Sequence, residues 1–133
     1  MQLEVIATFK INVSSLPSAV FGVDVLANPD GGAAVSLCVD CSAPAADADC
    51  HVHMDASAHG GTISTGPLLF GHGEEGLVRM HAIVDHSIVE LIVNNRTAIV
   101  GAALSPAEAD AGIKLFGAGV DASMEYWELT AAA

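Results

Sequence analysis

Leu77-Val78-Arg79-Met80-His81-Ala82-Ile83-Val84-Asp85-His86-Ser87-Ile88-Val89-Glu90-Leu91-Ile92-Val93-Asn94-Asn95-Arg96-Thr97-Ala98-Ile99-Val100-Gly101-Ala102-Ala103-Leu104 decides the fold of this chain. Leu77, Arg79, His81, Ile83 and Asp85 alternate with Val78, Met80, Ala82 and Val84, the period of two expected of a strand with one buried face. Asp85-His86-Ser87 makes a tight corner, and Ile88 to Val93 returns in β-branched, strand-favouring residues. Asn94-Asn95 is a two-residue hairpin signal, because Asn tolerates the positive φ such turns require. Thr97 to Leu104 completes an antiparallel meander.

Outward from the meander, apolar runs of strand length recur between turn signals, and none keeps a helical period. Leu3 to Val13 reads as a strand with Leu3, Val5, Ala7 and Phe9 on one face. Val20 to Leu26 is a second, ended by the turn cluster Asn28-Pro29-Asp30-Gly31-Gly32. Ala33 to Cys41 and Cys50 to Asp55 follow as strands, and Ala56 to Gly66 is a Gly-, Ser- and Thr-rich connection. After the meander, Ser105-Pro106-Ala107-Glu108 reads as the start of one helical turn, with Ser as N-cap and Pro at the first helical position. Ile113 to Phe116 and Ala122 to Leu129 finish the set, with Trp127 expected in the core and Ala131 to Ala133 as a frayed end. Short strands at this spacing predict an all-β fold, a two-sheet antiparallel β-sandwich of the concanavalin-like jelly-roll kind, as a single domain over residues 1–133.

The chain is long enough for one core, and 52% of its 133 residues are hydrophobic. No run reaches the roughly 18 consecutive apolar residues of a membrane-spanning helix. Met1-Gln2-Leu3-Glu4 lacks the basic and apolar regions of a secretory signal, so the chain either stays in the cell, or is a mature chain or an excised module with an added Met. Four Lys and Arg against sixteen Asp and Glu give a formal charge of -12. Such a surface repels phosphate backbones and anionic lipid, which excludes nucleic acid and acidic membranes as partners; it serves solubility, a salt-rich habitat or cation binding.

At the meander the sequence resembles a known family. Val84-Asp85-His86-Ser87-Ile88-Val89-Glu90, then Leu91-Ile92-Val93-Asn94 and Arg96-Thr97, looks like the signature of the C-terminal β-sandwich of glycoside hydrolase family 32, the invertases, inulinases, levanases and fructosyltransferases. The opening Leu3-Glu4-Val5-Ile6-Ala7-Thr8-Phe9 and the closing Gly112-Ile113-Lys114-Leu115-Phe116 and Tyr126-Trp127-Glu128-Leu129 extend the likeness over nearly the whole chain. One departure is Ile92, where the family often has an aromatic. The resemblance implies a non-catalytic module that stabilises a propeller partner or contributes to homo-oligomer contacts, in an extracellular or vacuolar setting. In the family, the catalytic carboxylates lie in the propeller, in Asn-Asp-Pro, Arg-Asp-Pro and Glu-Cys motifs. None occurs here: Asn28-Pro29-Asp30 has another order, and no Glu precedes a Cys. Similarity to family 66 carbohydrate-binding modules implies the alternative, a module for fructan or fructose. No cofactor is implied.

Two groups of residues carry candidate chemistry. Asp85, Ser87 and Glu90 interrupt apolar strands. Asp85 and Ser87 are expected to satisfy turn amides, and Glu90 to pair with Arg79 or Arg96 across the sheet. The functional alternative is sugar binding by Asp85, Glu90, Arg79 and an exposed Tyr126, since carboxylates accept paired hydrogen bonds from vicinal hydroxyls. A glycosidase pair of Asp85 and Glu90 fits worst, because no second feature suggests a cleft. The other group is Cys38, Cys41, Cys50, His51 and His53. A hairpin pairing Val39 with Val52 and Leu37 with Met54 sets Cys41 opposite Cys50 and turns Cys38 to the other face. A Cys41–Cys50 disulfide, free buried thiols and a zinc site all remain open on that basis. His51, His53 and Asp55 share a strand face as in metal-binding cupins, although Ala56-Ser57-Ala58-His59 lacks the acidic ligand expected there. His72, His81 and His86 read as surface or turn residues.

Overall fold

The computed structural model describes residues 2–12, 19–41, 50–104, 106–107, 110–117 and 119–130. Ten strands run through these residues: β1 (Gln2–Lys10), β2 (Val20–Ala27), β3 (Val35–Asp40), β4 (His51–Asp55), β5 (Ile63–Pro67), β6 (Leu77–Asp85), β7 (Ile88–Val93), β8 (Thr97–Ala102), β9 (Gly112–Phe116) and β10 (Asp121–Glu128). They form two antiparallel five-stranded sheets, β10-β1-β6-β7-β8 and β5-β4-β3-β2-β9, stacked as the sandwich that the alternation predicts. The helical start expected at Ser105 and Glu108 and the frayed end at 131–133 lie outside the described residues. Within that connection, the Asp110 N–H donates to the Ala107 carbonyl at 2.9 Å, closing a turn.

Alternation sorts β1, β6 and β7 into a buried and an outward face. Leu3, Val5, Ala7 and Phe9 of β1, Val78, Met80, Ala82 and Val84 of β6, and Val89, Leu91 and Val93 of β7 are all buried. From the other sheet, Phe21, Val23, Leu37, Val39, Val52 and Met54 meet them. Phe9 and Phe21 join the layers with ring centroids 4.8 Å apart in a tilted pair, a geometry aromatic rings favour. At one edge β5 lies against β8, where the Thr97 hydroxyl donates to the Pro67 carbonyl at 2.6 Å. At the other edge, β9 and β10 each end their own sheet.

The two meander corners differ. Asp85 pairs with Ile88, so β6 and β7 turn on His86-Ser87, with His86 at φ 55°. Asn94 and Asn95 both adopt φ 53°, as the hairpin signal requires. The ladder resumes at Val93 with Thr97, however, so Arg96 is an additional residue and the loop is longer than the two expected. β5 is a strand that the sequence does not announce: Ile63–Pro67 lies within the stretch read as a connection. Before it, Ser57–His59 forms a 3-10 turn closed by Gly60 at φ 77°. The buried His59 donates from Nε2 to the carbonyl of Leu26 at 2.9 Å, beside the irregularity in the β2–β9 ladder. Its Nδ1 lies 3.8 Å from the buried Asp110 carboxylate.

Trp127 is not in the core. Tyr126 pairs with Val5, and Trp127 with Glu4, so Tyr126 takes the inward parity of β10 and Trp127 the outward one. β10 is an edge strand, and both rings are open to solvent, Trp127 by 44% and Tyr126 by 57%.

Candidate functional site

The outer face of the first sheet brings together most of the side chains with chemistry to offer. Register stacks them in rows across the strands. Trp127, Glu4, Ile83, Glu90 and Val100 form one row. Glu125, Ile6, His81, Ile92 and Ala98 form the next, and Ser123, Thr8 and Arg79 the one after. Apolar and acidic residues therefore alternate along the first of these rows. Ile88, Ile92, Val100, Trp127 and Leu129 are large apolar side chains left exposed on this face. Near its centre, His81 donates from Nε2 to Glu4 Oε1 at 2.7 Å.

Asp85 and Ser87 do not serve the turn in the way expected. The Asp85 carboxylate instead accepts from Gln2 Nε2 at 2.9 Å and from His86 Nδ1 at 2.7 Å. The Gln2 hydrogen bond first, and the His86 one second, hold this carboxyl below its ordinary pKa. Glu90 faces Ile83 on one side and Val100 on the other, and among the described residues it forms no ion pair with Arg79 or Arg96. Of the residues considered for sugar binding, Asp85, Glu90 and Arg79 share the outer face, but Tyr126 belongs to the opposite parity. Asp85 and Arg79 stand at opposite ends of the face, about 20 Å apart at the usual rise of a strand. Trp127 is the aromatic that accompanies them. Alternation along β10 could not reveal this, because parity alone does not say which side of an edge strand meets the core.

Shallow depressions follow β1 and β10 across the same face. Ile6, Thr8, Arg79, Ser123, Met124 and Glu125 line one of them. A neighbouring one, lined by Thr8, Lys10, Asp121, Ala122 and Ser123, shares Thr8 and Ser123 with it.

The cysteine and histidine cluster lies on the second sheet. Leu37 pairs with Met54 and Val39 with Val52. Cys41 and Cys50, both buried, are joined by a disulfide with Cα atoms 4.2 Å apart. Cys38 occupies the outer face, opposite His53. Burial first, then the charges of Asp40 and Asp24, push its thiol up to about 11, so it is a poor nucleophile at neutral pH. His51 and His53 share that outer face with rings 6.3 Å apart. Their neighbours already engage them or Asp55: His53 Nδ1 is 3.0 Å from Thr65 Oγ1, and the Asp55 carboxylate accepts from the Ser57 hydroxyl at 2.5 Å and amide at 2.9 Å. The Ser57 bonds lower the Asp55 pKa. Among the described residues, no three His, Cys, Asp or Glu side chains are placed to hold a metal ion.

Comparison with known proteins follows the fold. No curated protein sequence matches the chain. Among solved structures, the exo-inulinase from Aspergillus awamori aligns at TM-score 0.71 and 17% identity, covering 97% of this chain and 25% of that one. The sucrose-6-phosphate hydrolase from Lactobacillus gasseri gives TM-score 0.71 and 14% identity, covering 97% and 25%. The beta-fructofuranosidase of Aspergillus kawachii, complexed with glycerol, gives TM-score 0.67 and 16% identity, covering 93% and 22%. At these identities the likeness is one of fold, and the chain spans about a quarter of the length of the enzymes it matches. The family model for glycosyl hydrolases family 32 C terminal matches residues 1–131. In that family this sandwich is the C-terminal part of enzymes whose catalytic site lies in an N-terminal propeller. The chain belongs to the family of C-terminal β-sandwich domains of glycoside hydrolase family 32.

Proposed function

We propose that the chain is a non-catalytic sandwich that stabilises a propeller partner, or mediates association, through the outer face of the β10-β1-β6-β7-β8 sheet. One observation carries this reading: Ile88, Ile92, Val100 and Trp127 stand exposed on a single sheet face, with Ile6 and Ile83 half-buried between them. Exposed apolar groups gathered on one surface mark contact sites, whereas scattered ones do not. Calorimetric titration of the chain with an isolated family 32 propeller tests it. Saturable binding that Ile92→Asp abolishes is the expected result. No binding, from a chain that also stays monomeric in light scattering, would sink it. Hydrolysis of sucrose or inulin by the chain alone would overturn the non-catalytic part.

A second reading, a binding module for fructan or another glycan, is favoured by the place of Trp127. An exposed indole on the face that holds Glu90, Asp85 and Arg79 supplies the apolar platform that sugar rings stack on, beside acceptors for their hydroxyls. Under this reading, levan, inulin or sucrose gives saturable heat that Trp127→Ala removes and Tyr126→Ala leaves. Loss with Tyr126→Ala instead would reject it.

A further inference from the structure

Sixteen Asp and Glu outnumber the four Lys and Arg of this chain. Among the described residues none of the four forms an ion pair; Arg79 on β6 and Lys10 on β1 are brought near each other, and Lys10 stands opposite Asp121 of β10. Arg79 and Lys10 lie on the same face of the sheet. Thr8 pairs with Arg79 on one side and Ser123 on the other, and Lys10 follows Thr8 one outward position along β1. Lys10 pairs with Leu77, which makes Arg79 its diagonal neighbour, a spacing that long side chains bridge. Arg79 lines one depression and Lys10 the next, with the Thr8 and Ser123 hydroxyls lining both.

We infer that this junction of β1, β6 and β10 binds the phosphate-type oxyanion of a small phosphorylated polyol. The guanidinium of Arg79 presents forked N–H donors that match two oxygens of such a group, and the Lys10 ammonium adds a point charge. The Thr8 and Ser123 hydroxyls donate to the remaining oxygens. Glu125 lines the depression with Arg79 and Asp121 the one with Lys10; these carboxylates repel a bare anion but accept from hydroxyls, which favours an oxyanion carried on a hydroxylated molecule. The backbone beneath Arg79 is fixed, because Asn94 bonds both its N–H and its carbonyl. The site shares the outer face with the docking reading but draws on the Ser123–Thr8–Arg79 row rather than on Ile88 or Val100, so Ile92→Asp tests docking and Arg79→Gln tests the oxyanion site.

Calorimetric titration of the whole chain with glucose 6-phosphate, glucose and inorganic phosphate, at fixed ionic strength, tests the assignment. Saturable binding of glucose 6-phosphate is expected, with inorganic phosphate weaker and glucose giving none. Arg79→Gln and Lys10→Gln are each expected to weaken it at least ten-fold while circular dichroism stays that of the parent. Absence of saturable binding would overturn the proposal, as would equal affinity in parent and both variants, or equal heats from glucose and its phosphate.

Discussion

Asn94 grips the Arg79 backbone at both its donor and its acceptor: the Arg79 N–H donates to Asn94 Oδ1 at 2.8 Å, and the Arg79 carbonyl accepts from the Asn94 N–H at 2.9 Å. The same side chain donates from Nδ2 to the Leu69 carbonyl at 2.9 Å, tying the meander to the loop before it. Asn94 also sits at φ 53°, where a Cβ is disfavoured and Asn is tolerated. Asn94→Ala removes two side-chain hydrogen bonds and strains the turn, an expected loss of about 2–3 kcal/mol. Asn94→Gly keeps the turn and loses only the bonds, so it should fall between Ala and the parent in urea denaturation.

Gly22 shows how closely β2 and β3 approach. A Cβ at this position would run into the carbonyl oxygen of Leu37 on the paired strand, a backbone atom that cannot swing away. Gly22→Ala should therefore cost about 3 kcal/mol, read as a lowered denaturation midpoint. Gly101→Ala meets the flexible Met54 side chain instead and should cost less.

The Cys41–Cys50 bridge spans a sequence separation of 9 and restricts the unfolded chain. Chain-entropy arguments for a loop of that size give about 2.5 kcal/mol. The double replacement Cys41→Ala, Cys50→Ala should lower stability by that order. Thiol titration of the denatured, unreduced parent should find one reactive sulfur, Cys38, and reduction should raise the number to three.

Asp85 offers a pH test with a definite sign. Its folded pKa is lowered, chiefly by the Gln2 hydrogen bond. The contribution to stability is thus fully present above the ordinary carboxylate pKa and is lost as pH falls through the lowered folded value. Carboxyl resonances followed by NMR should show Asp85 titrating below ordinary aspartates. Gln2→Ala should move it up toward them, and no movement would refute the assigned cause.

Much of this fold was legible because its central strands obey one rule. From Leu77 to Val93, alternation gives both the strand limits and the buried face, since each strand has neighbours on both sides and a sheet beneath it. The Val39–Val52 register was legible for the same reason. Legibility failed at the edges. β5 reads as a connection because Gly66 and Pro67 are poor strand formers, and its one large apolar residue, Ile63, is 60% exposed. Edge strands accept such residues, having only one ladder to satisfy. Trp127 failed for a related reason, since hydrophobicity suggests burial only where a second layer exists to bury against. The oxyanion candidates Thr8 and Ser123 carry no signal at all in sequence; only the β1–β10 register makes them neighbours of Arg79.

The β10 strand has one further consequence. Among the described residues no strand pairs with its outer edge, and an uncovered edge is a template on which another chain can add and begin a fibre. Asp121, Glu125 and Glu128 are spread along its length, all exposed. A second copy laid along this strand would bring like charges together without water to separate them. The acidic surplus that composition reports as a bulk property thus acts locally, as a guard against amyloid-like growth along the β10 edge.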